Sequence, residues 1–406
     1  MTDLKRTRRL AITLAAALAL DAPARASAQA TVAPAPPAAV TPFRIAVPDA
    51  TLRDLQERLA RTRLADPLEG AGWDYGIDAA YLRSLLAYWR QGFDWRQQER
   101  ALNQAPQFTT TIDGLRVHFV HQRSPVPTAR PLLLLNGWPS SFAEYVRVLG
   151  PLTDPVRFGG RTEDAFHVIV PSMPGYGFSD KPRVRGFGNT DTARLWASLM
   201  ARLGFRRYAI VGTDIGIGVG SELATLDQAH VFGLHLAGCP GVTATPPPGA
   251  PGTDTQAYFD LQATKPETIG ASLSDSPAGL AAWIAEKYHG WTDHTGDLEP
   301  VMPRDQLLTT VMLYWVTNSG PSSARIYYER RHQAAAPLPR VTVPTACTAW
   351  DVRYDQRPRA TARNAATDAR YTVARWTTMA RGGHFPAFEQ PADWLADVRS
   401  FLATLR

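Results

Sequence analysis

The chain has 406 residues, 45% hydrophobic, 10% aromatic and 20% charged, an ordinary globular composition with length enough for a large core plus accessories. Its formal charge of +6 comes mostly from scattered arginines, with no basic run interleaved with aromatics, which leaves nucleic-acid binding without support. The two cysteines, Cys239 and Cys347, each follow an apolar, strand-like run and read as buried free thiols, and no Cys/His cluster has metal-ligand spacing.

Lys5, Arg6, Arg8 and Arg9 precede an apolar run from Leu10 to Leu20, and Ala28-Gln29-Ala30 follows as a small-x-small site. This is the pattern of a secretory signal peptide over 1–30, cleaved after Ala30. The run is shorter than the roughly 20 residues a spanning helix needs, so an exported protein with no stable membrane anchor is expected. The paired Arg8-Arg9 leaves Sec and twin-arginine export both open. Residues 31–41 read as a linker.

An accessory region, 42–125, is mostly helical in pattern. Apolar residues recur at helical spacing over Thr51–Leu64, with Asp49 or Thr51 as cap, and again over Asp78–Trp89. Phe108–Ile112 and Leu115–Val120 flank Asp113-Gly114, a hairpin signal. From 126 to 241 strands and helices alternate. The strands are Leu132–Leu135, Phe166–Val170, Tyr208–Val211 and Val231–Leu236, and Thr190–Leu203 is a helix between the second and third. Such alternation implies a mostly parallel sheet covered by helices on both faces. It stops at Gly241. Residues 242–340 hold a Pro/Gly loop (244–251) and helical segments, among them Pro277–Lys287 capped by Ser276, and Gln306–Asn318. The alternation resumes over 341–406 with Val341–Thr345, Tyr371–Trp376 and a last helix, Ala392–Leu405. A helical lid is therefore inserted into one α/β core.

Gly212-Thr213-Asp214-Ile215-Gly216 follows a buried strand and opens a helix, which is the context of the nucleophile elbow in the α/β-hydrolase fold. Asp at the central position is either a helix cap or a nucleophile. A carboxylate suits displacement at saturated carbon, leaving an alkyl ester that water then cleaves. His384, in Arg381-Gly382-Gly383-His384-Phe385, lies between the last strand and the last helix, where this fold keeps its histidine, and would activate that water. The carboxylate supporting His384 is sought after Val341–Thr345, where Asp351 is preferred and Asp355 is the alternative. Backbone N–H groups of Ile215 and Trp138 would form the oxyanion hole. A leaving alkoxide needs an acid, and the lid offers Tyr258 and Tyr327, although spacing alone does not select them.

Several segments in order carry a resemblance that covers the chain from Pro42 onward. They are Trp89–Arg96 with Leu102-Asn103 and Phe108, the hairpin Ile112–Phe119, Pro171-Ser172-Met173-Pro174-Gly175-Tyr176-Gly177-Phe178-Ser179, and Gln262-Ala263-Thr264-Lys265-Pro266. Together they resemble the microsomal-type epoxide hydrolase family of the α/β-hydrolase superfamily. The resemblance implies hydrolysis of a small-molecule epoxide to a vicinal diol without a cofactor. By motif it implies Asp214 as nucleophile, His384 as base, and Tyr258 and Tyr327 as ring-opening acids, with Tyr328 the fallback for Tyr327. The chain departs from the family pattern at Asn136, where relatives usually carry His, at Ile215, where they usually carry Trp, and at Arg353, which occupies the expected acid position. A haloalkane dehalogenase would also use an elbow Asp, but with a Trp ring N–H following it, which Ile215 lacks. A catalytically retired binding protein on the same scaffold is the third reading.

Overall fold

The computed structural model describes residues 39–239, 256–333, 339–350 and 363–405, the Trp350 side chain excepted. The leader, linker residues 31–38, the loop at 244–251, Asp351, Arg353 and Asp355 lie outside the described residues. The described chain carries a nine-stranded sheet in the order β1-β2-β3-β5-β4-β6-β7-β8-β9. The strands are β1 Thr41–Phe43, β2 Gln107–Ile112, β3 Leu115–Gln122, β4 Arg130–Leu135, β5 Phe166–Pro171, β6 Tyr208–Thr213, β7 Val231–Ala237, β8 Val341–Trp350 and β9 Tyr371–Met379. The contacts β1–β2, β2–β3 and β3–β5 are antiparallel, and the remaining five are parallel. Thr41, assigned to the linker from sequence, opens β1 and pairs with Thr109.

The helices are α1 Asp49–Ala60, α2 Ala79–Gln91, α3 Trp95–Leu102, α4 Val146–Thr153, α5 Asn189–Arg202, α6 Ile215–Leu226, α7 Ala257–Thr264, α8 Pro266–Asp275, α9 Pro277–Trp291, α10 Arg304–Thr317, α11 Ser319–His332, α12 Ala365–Arg370, α13 Pro386–Glu389 and α14 Pro391–Ala403. Helices α7–α11 form the lid. Helix α1 starts two residues before the Thr51 that the periodicity predicts. Pro48 occupies the cap position with no side-chain capping bond, and Asp49 already lies in the first turn, where its charge suits the helix dipole. Asp78 and Ser276 do cap α2 and α9, accepting from Tyr81 and Gly279 N–H. Asp113 at φ 50° and Gly114 at φ 79° make the two-residue turn between β2 and β3 that the Asp-Gly pair requires.

Leu132–Leu135 have no exposed surface, as expected of a central strand covered on both faces. β8 runs five residues beyond the sequence reading, because Ala346, Cys347, Thr348 and Ala349 carry little strand signal of their own yet pair with β9.

The cysteines correct the reading of free thiols. Cys239 and Cys347 form a disulfide with a Cα separation of 5.3 Å, within the range such a bridge needs. Cys347 sits opposite Leu236 in the β7–β8 register. Gly238, at φ 100° with its N–H on the Leu236 carbonyl, turns the chain so that Cys239 meets Cys347. The pairing depends on a strand register that local sequence does not encode.

Candidate active site

Asp214 stands between β6 and α6 at φ 51°, ψ −121°, a backbone conformation that costs a non-glycine residue energy and persists where surrounding structure enforces it. Beyond Ile215, at the first position of α6, its side chain makes no N-cap hydrogen bond into the helix, which leaves the helix-cap reading without its bond. The enforcing contacts are close approaches. A Cβ on Gly216 would lie 2.3 Å from the Leu135 carbonyl oxygen at the end of β4. A Cβ on Gly137 would lie 2.0 Å from Asp214 Oδ1. The glycines thus let the elbow press on β4 and let the oxyanion loop close over the carboxylate, while the strain falls on Asp214 itself.

Trp138 N–H donates to Asp214 Oδ1 at 2.9 Å. Asp214 Oδ2 faces His384 Nε2 at 3.2 Å. Burial pushes the Asp214 pKa up, but His384 and the Ile215 and Trp138 N–H groups outweigh it and hold the carboxyl below its usual value. The group is therefore an anion at neutral pH. Its two oxygens are differentiated, Oδ1 held by the Trp138 N–H and Oδ2 directed at the histidine. The side chains of Asp214 and His384 keep 18% and 19% exposure. A second His–Asp pair, His235 with Asp397 at 2.8 Å, is 0% and 1% exposed and cannot meet a substrate.

His384 is held by the lid. Its N–H donates to the Trp291 carbonyl at 2.8 Å, and Gly382 N–H donates to Asp293 Oδ2 at 2.9 Å. Glu389 ties the two sides together, accepting from Phe385 N–H at 2.9 Å and from Asp293 N–H at 2.7 Å. Burial raises the Glu389 pKa to about 7 against those two donors. The Trp291 ring lies 4.6 Å from the His384 ring. Neither Trp291, Asp293 nor Glu389 was legible in the sequence, since the lid residues and the histidine loop are about ninety residues apart.

The lid tyrosines meet over this centre. Tyr258 stacks on Trp138 with ring centroids 5.3 Å apart and planes within 10°, and Tyr327 stands edge-on to Trp138 at 6.1 Å and to Tyr258 at 6.1 Å. Burial, then the Asp214 charge, push the Tyr327 pKa well above its usual value, so the phenol keeps its proton. Three buried tyrosines, Tyr176, Tyr314 and Tyr327, feel the Asp214 charge, and hydrogen bonding separates them. Tyr176 donates to the Ser323 carbonyl and Tyr314 to the Ser140 carbonyl, whereas the Tyr327 hydroxyl has no partner among the described residues. Tyr328, the fallback, stacks on His332. The structure thus brings Asp214, Ile215, Trp138, His384, Tyr258 and Tyr327 together. Asp351 and Asp355 follow β8 outside the described residues.

Glu144, just after the oxyanion loop, is a second buried carboxyl near the nucleophile. Ser140 Oγ donates to it at 2.6 Å, but burial, with Asp214 and Glu389 nearby, raises its pKa to about 8 from 4.5. A raised carboxyl pKa stabilises the fold fully below the unfolded value, and that stabilisation is lost as pH rises through the folded value. The stability of the wild type relative to Glu144→Gln is therefore expected to fall between about pH 4.5 and 8. Thermal melts of the two proteins across that range check it, and a constant difference would refute it.

A strained elbow bearing a carboxylate, a late histidine and a helical lid on a mostly parallel sheet define the α/β-hydrolase fold. The comparisons agree. Residues 132–398 match the alpha/beta hydrolase family, and residues 40–145 match the epoxide hydrolase N terminus. The chain is 36% identical to epoxide hydrolase 1 of Sus scrofa over 412 residues, 90% of this chain and 89% of that one. Its fold superposes on the juvenile hormone epoxide hydrolase of the silkworm Bombyx mori with a TM-score of 0.80 at 34% identity, covering 91% of this chain and 94% of that one. For the Aspergillus niger epoxide hydrolase the TM-score is 0.78 at 34% identity, with coverage of 91% and 97%. The chain belongs to the epoxide hydrolase family and is an enzyme, which sets aside the retired-scaffold reading; the family's general mechanism passes through an aspartyl ester.

Proposed function

We propose that Asp214 Oδ2 attacks an oxirane carbon while Tyr258 and Tyr327 protonate the departing oxygen. His384 then activates a water that adds to the Asp214 carboxyl carbon, and Trp138 and Ile215 N–H groups hold Oδ1 as it becomes the oxyanion. The observation that carries this reading is the divided carboxylate, Oδ1 on the Trp138 N–H and Oδ2 facing His384, near a buried Tyr327 phenol with no hydrogen-bond partner among the described residues. Trp138 and Trp291 pack against Tyr258, and Phe259 against Tyr327, an aromatic surrounding that suits an apolar epoxide. Asp351 supports His384, with Asp355 as the alternative. Replacing the correct one by Asn slows ester hydrolysis and spares alkylation.

The test of the covalent route is isotopic. After one turnover in oxygen-18 water the label resides in Asp214, and a second turnover in ordinary water delivers labelled diol. Label in the first diol and none in Asp214 would sink it.

The protein is also proposed to be exported. No helix among the described residues is long and apolar enough to cross a membrane. The Cys239–Cys347 disulfide supports an oxidising compartment, as does the pattern of residues 1–30. N-terminal sequencing of the mature protein from the periplasm or medium is expected to begin at Thr31. A cytosolic protein retaining Met1 or Thr2 would refute export.

A further inference from the structure

Lys287 is buried in the lid, 6% exposed, although lysine is a residue that folded proteins keep in water. Its ammonium lies 4.7 Å from the centre of the Tyr258 ring and 5.9 Å from the rings of Trp283 and Trp291. It is ion-paired with Glu286, whose side chain is about a third exposed. Trp138, which supplies the oxyanion N–H, stacks on the same Tyr258. We propose that Lys287 is a positioning residue for ring opening: its ammonium fixes the face of Tyr258 and stabilises the phenolate that Tyr258 leaves on giving up its proton. This rests on Tyr258 being a ring-opening acid.

The chemistry requires such a charge. In the first step the Asp214–carbon bond forms, the carbon–oxygen bond breaks, and the Tyr258 proton moves to the epoxide oxygen, leaving a phenolate among aromatic rings. Hydrolysis of the ester consumes water and regenerates the Asp214 carboxylate, the alcohol and one proton, which returns to the phenolate. Between the two steps the anion sits in a poorly solvated place, where an unpaired charge is costly. The other charged groups nearby are committed or act elsewhere. Asp214 opposes a phenolate, Arg330 acts on Tyr327 and Tyr176, Arg331 pairs with Asp260 on α7, and His384 lies beyond Trp291.

The test uses stopped-flow tryptophan fluorescence with styrene oxide, which resolves alkylation from hydrolysis. Lys287→Met is expected to slow alkylation about tenfold at neutral pH and to move its alkaline limb upward by about one unit, with hydrolysis unchanged. Lys287→Arg restores most of the rate. Combined with Tyr258→Phe, Lys287→Met adds nothing further. Glu286→Gln, at a partly exposed position that tolerates exchange, removes the anion that screens Lys287 and is expected to move the limb downward. Unmoved limbs in Lys287→Met and Glu286→Gln, or an equal loss in the Tyr258→Phe background, would overturn the proposal while leaving Tyr258 in place. If Tyr258→Phe alone leaves alkylation untouched, the assignment of Tyr258 is what fails.

Discussion

Replacing His384 by Gln is expected to leave a protein that reacts once and stops. The first step needs only the Asp214 carboxylate and the lid phenols. Oδ1 keeps its Trp138 donor in the variant, so alkylation of one equivalent per chain proceeds. The second step loses its base, because His384 Nε2 is the group facing Asp214 Oδ2 at 3.2 Å and Gln cannot take a proton. General-base assistance is worth about 10² to 10⁴ in rate, so turnover falls by that factor or more while the ester accumulates. Intact-mass measurement after brief exposure to styrene oxide would find the chain heavier by one substrate, and peptide mapping would place the adduct on Asp214. Asp214→Ala forms no adduct. A His384→Gln protein that turns over at the parental rate, or stalls without an adduct, would remove His384 as the base. His384 also lowers the Asp214 pKa. The burst in His384→Gln is therefore expected to weaken at acid pH, where the carboxyl protonates more readily.

The elbow was legible because it is local. Strand, Gly-x-Asp-x-Gly and helix are consecutive, and so are the last strand, His384 and the last helix. Even so, the sequence leaves Asp214 divided between cap and nucleophile, and what bears against the cap, the missing capping bond and the Trp138 contact across 76 residues, is long-range. What escaped was long-range or out of character. α3 is short and polar, burying Trp95, Glu99 and Leu102, so its periodicity was too brief to read. The disulfide needed the register of β7 on β8. The sequence pattern places the end of α9 at Lys287. The helix continues to Trp291, whose carbonyl then holds His384. Glu389 escaped for a related reason: a carboxylate near the end of a chain reads as surface, and here it is a buried clamp between the lid and the histidine loop.

Removing both lid hydroxyls, in Tyr258→Phe/Tyr327→Phe, is expected to abolish the first step that His384→Gln preserves. An unprotonated alkoxide is a poor leaving group, and transferring a proton to it contributes about 10² to 10⁴ in rate. In the proposed mechanism two phenols serve one oxygen, so either can cover in part for the other. Each single variant is expected to lose about tenfold to a hundredfold in alkylation, and the double variant to lose more than the product of the two, since groups sharing a partner are not additive. The fold should tolerate the changes. The Tyr327 hydroxyl is buried without a partner among the described residues, so its removal orphans no group and the melting temperature should hold or rise. The Tyr258 ring keeps its stack on Trp138 as Phe. Substrate electronics give the sharper check. An epoxide bearing an electron-withdrawing substituent leaves as a more stable alkoxide and depends less on the acid. The penalty of the double substitution should therefore shrink along such a series in the alkylation phase, while hydrolysis of whatever ester forms follows no such trend. A penalty equal for every substrate would mean that the tyrosines shape the pocket and do not deliver the proton.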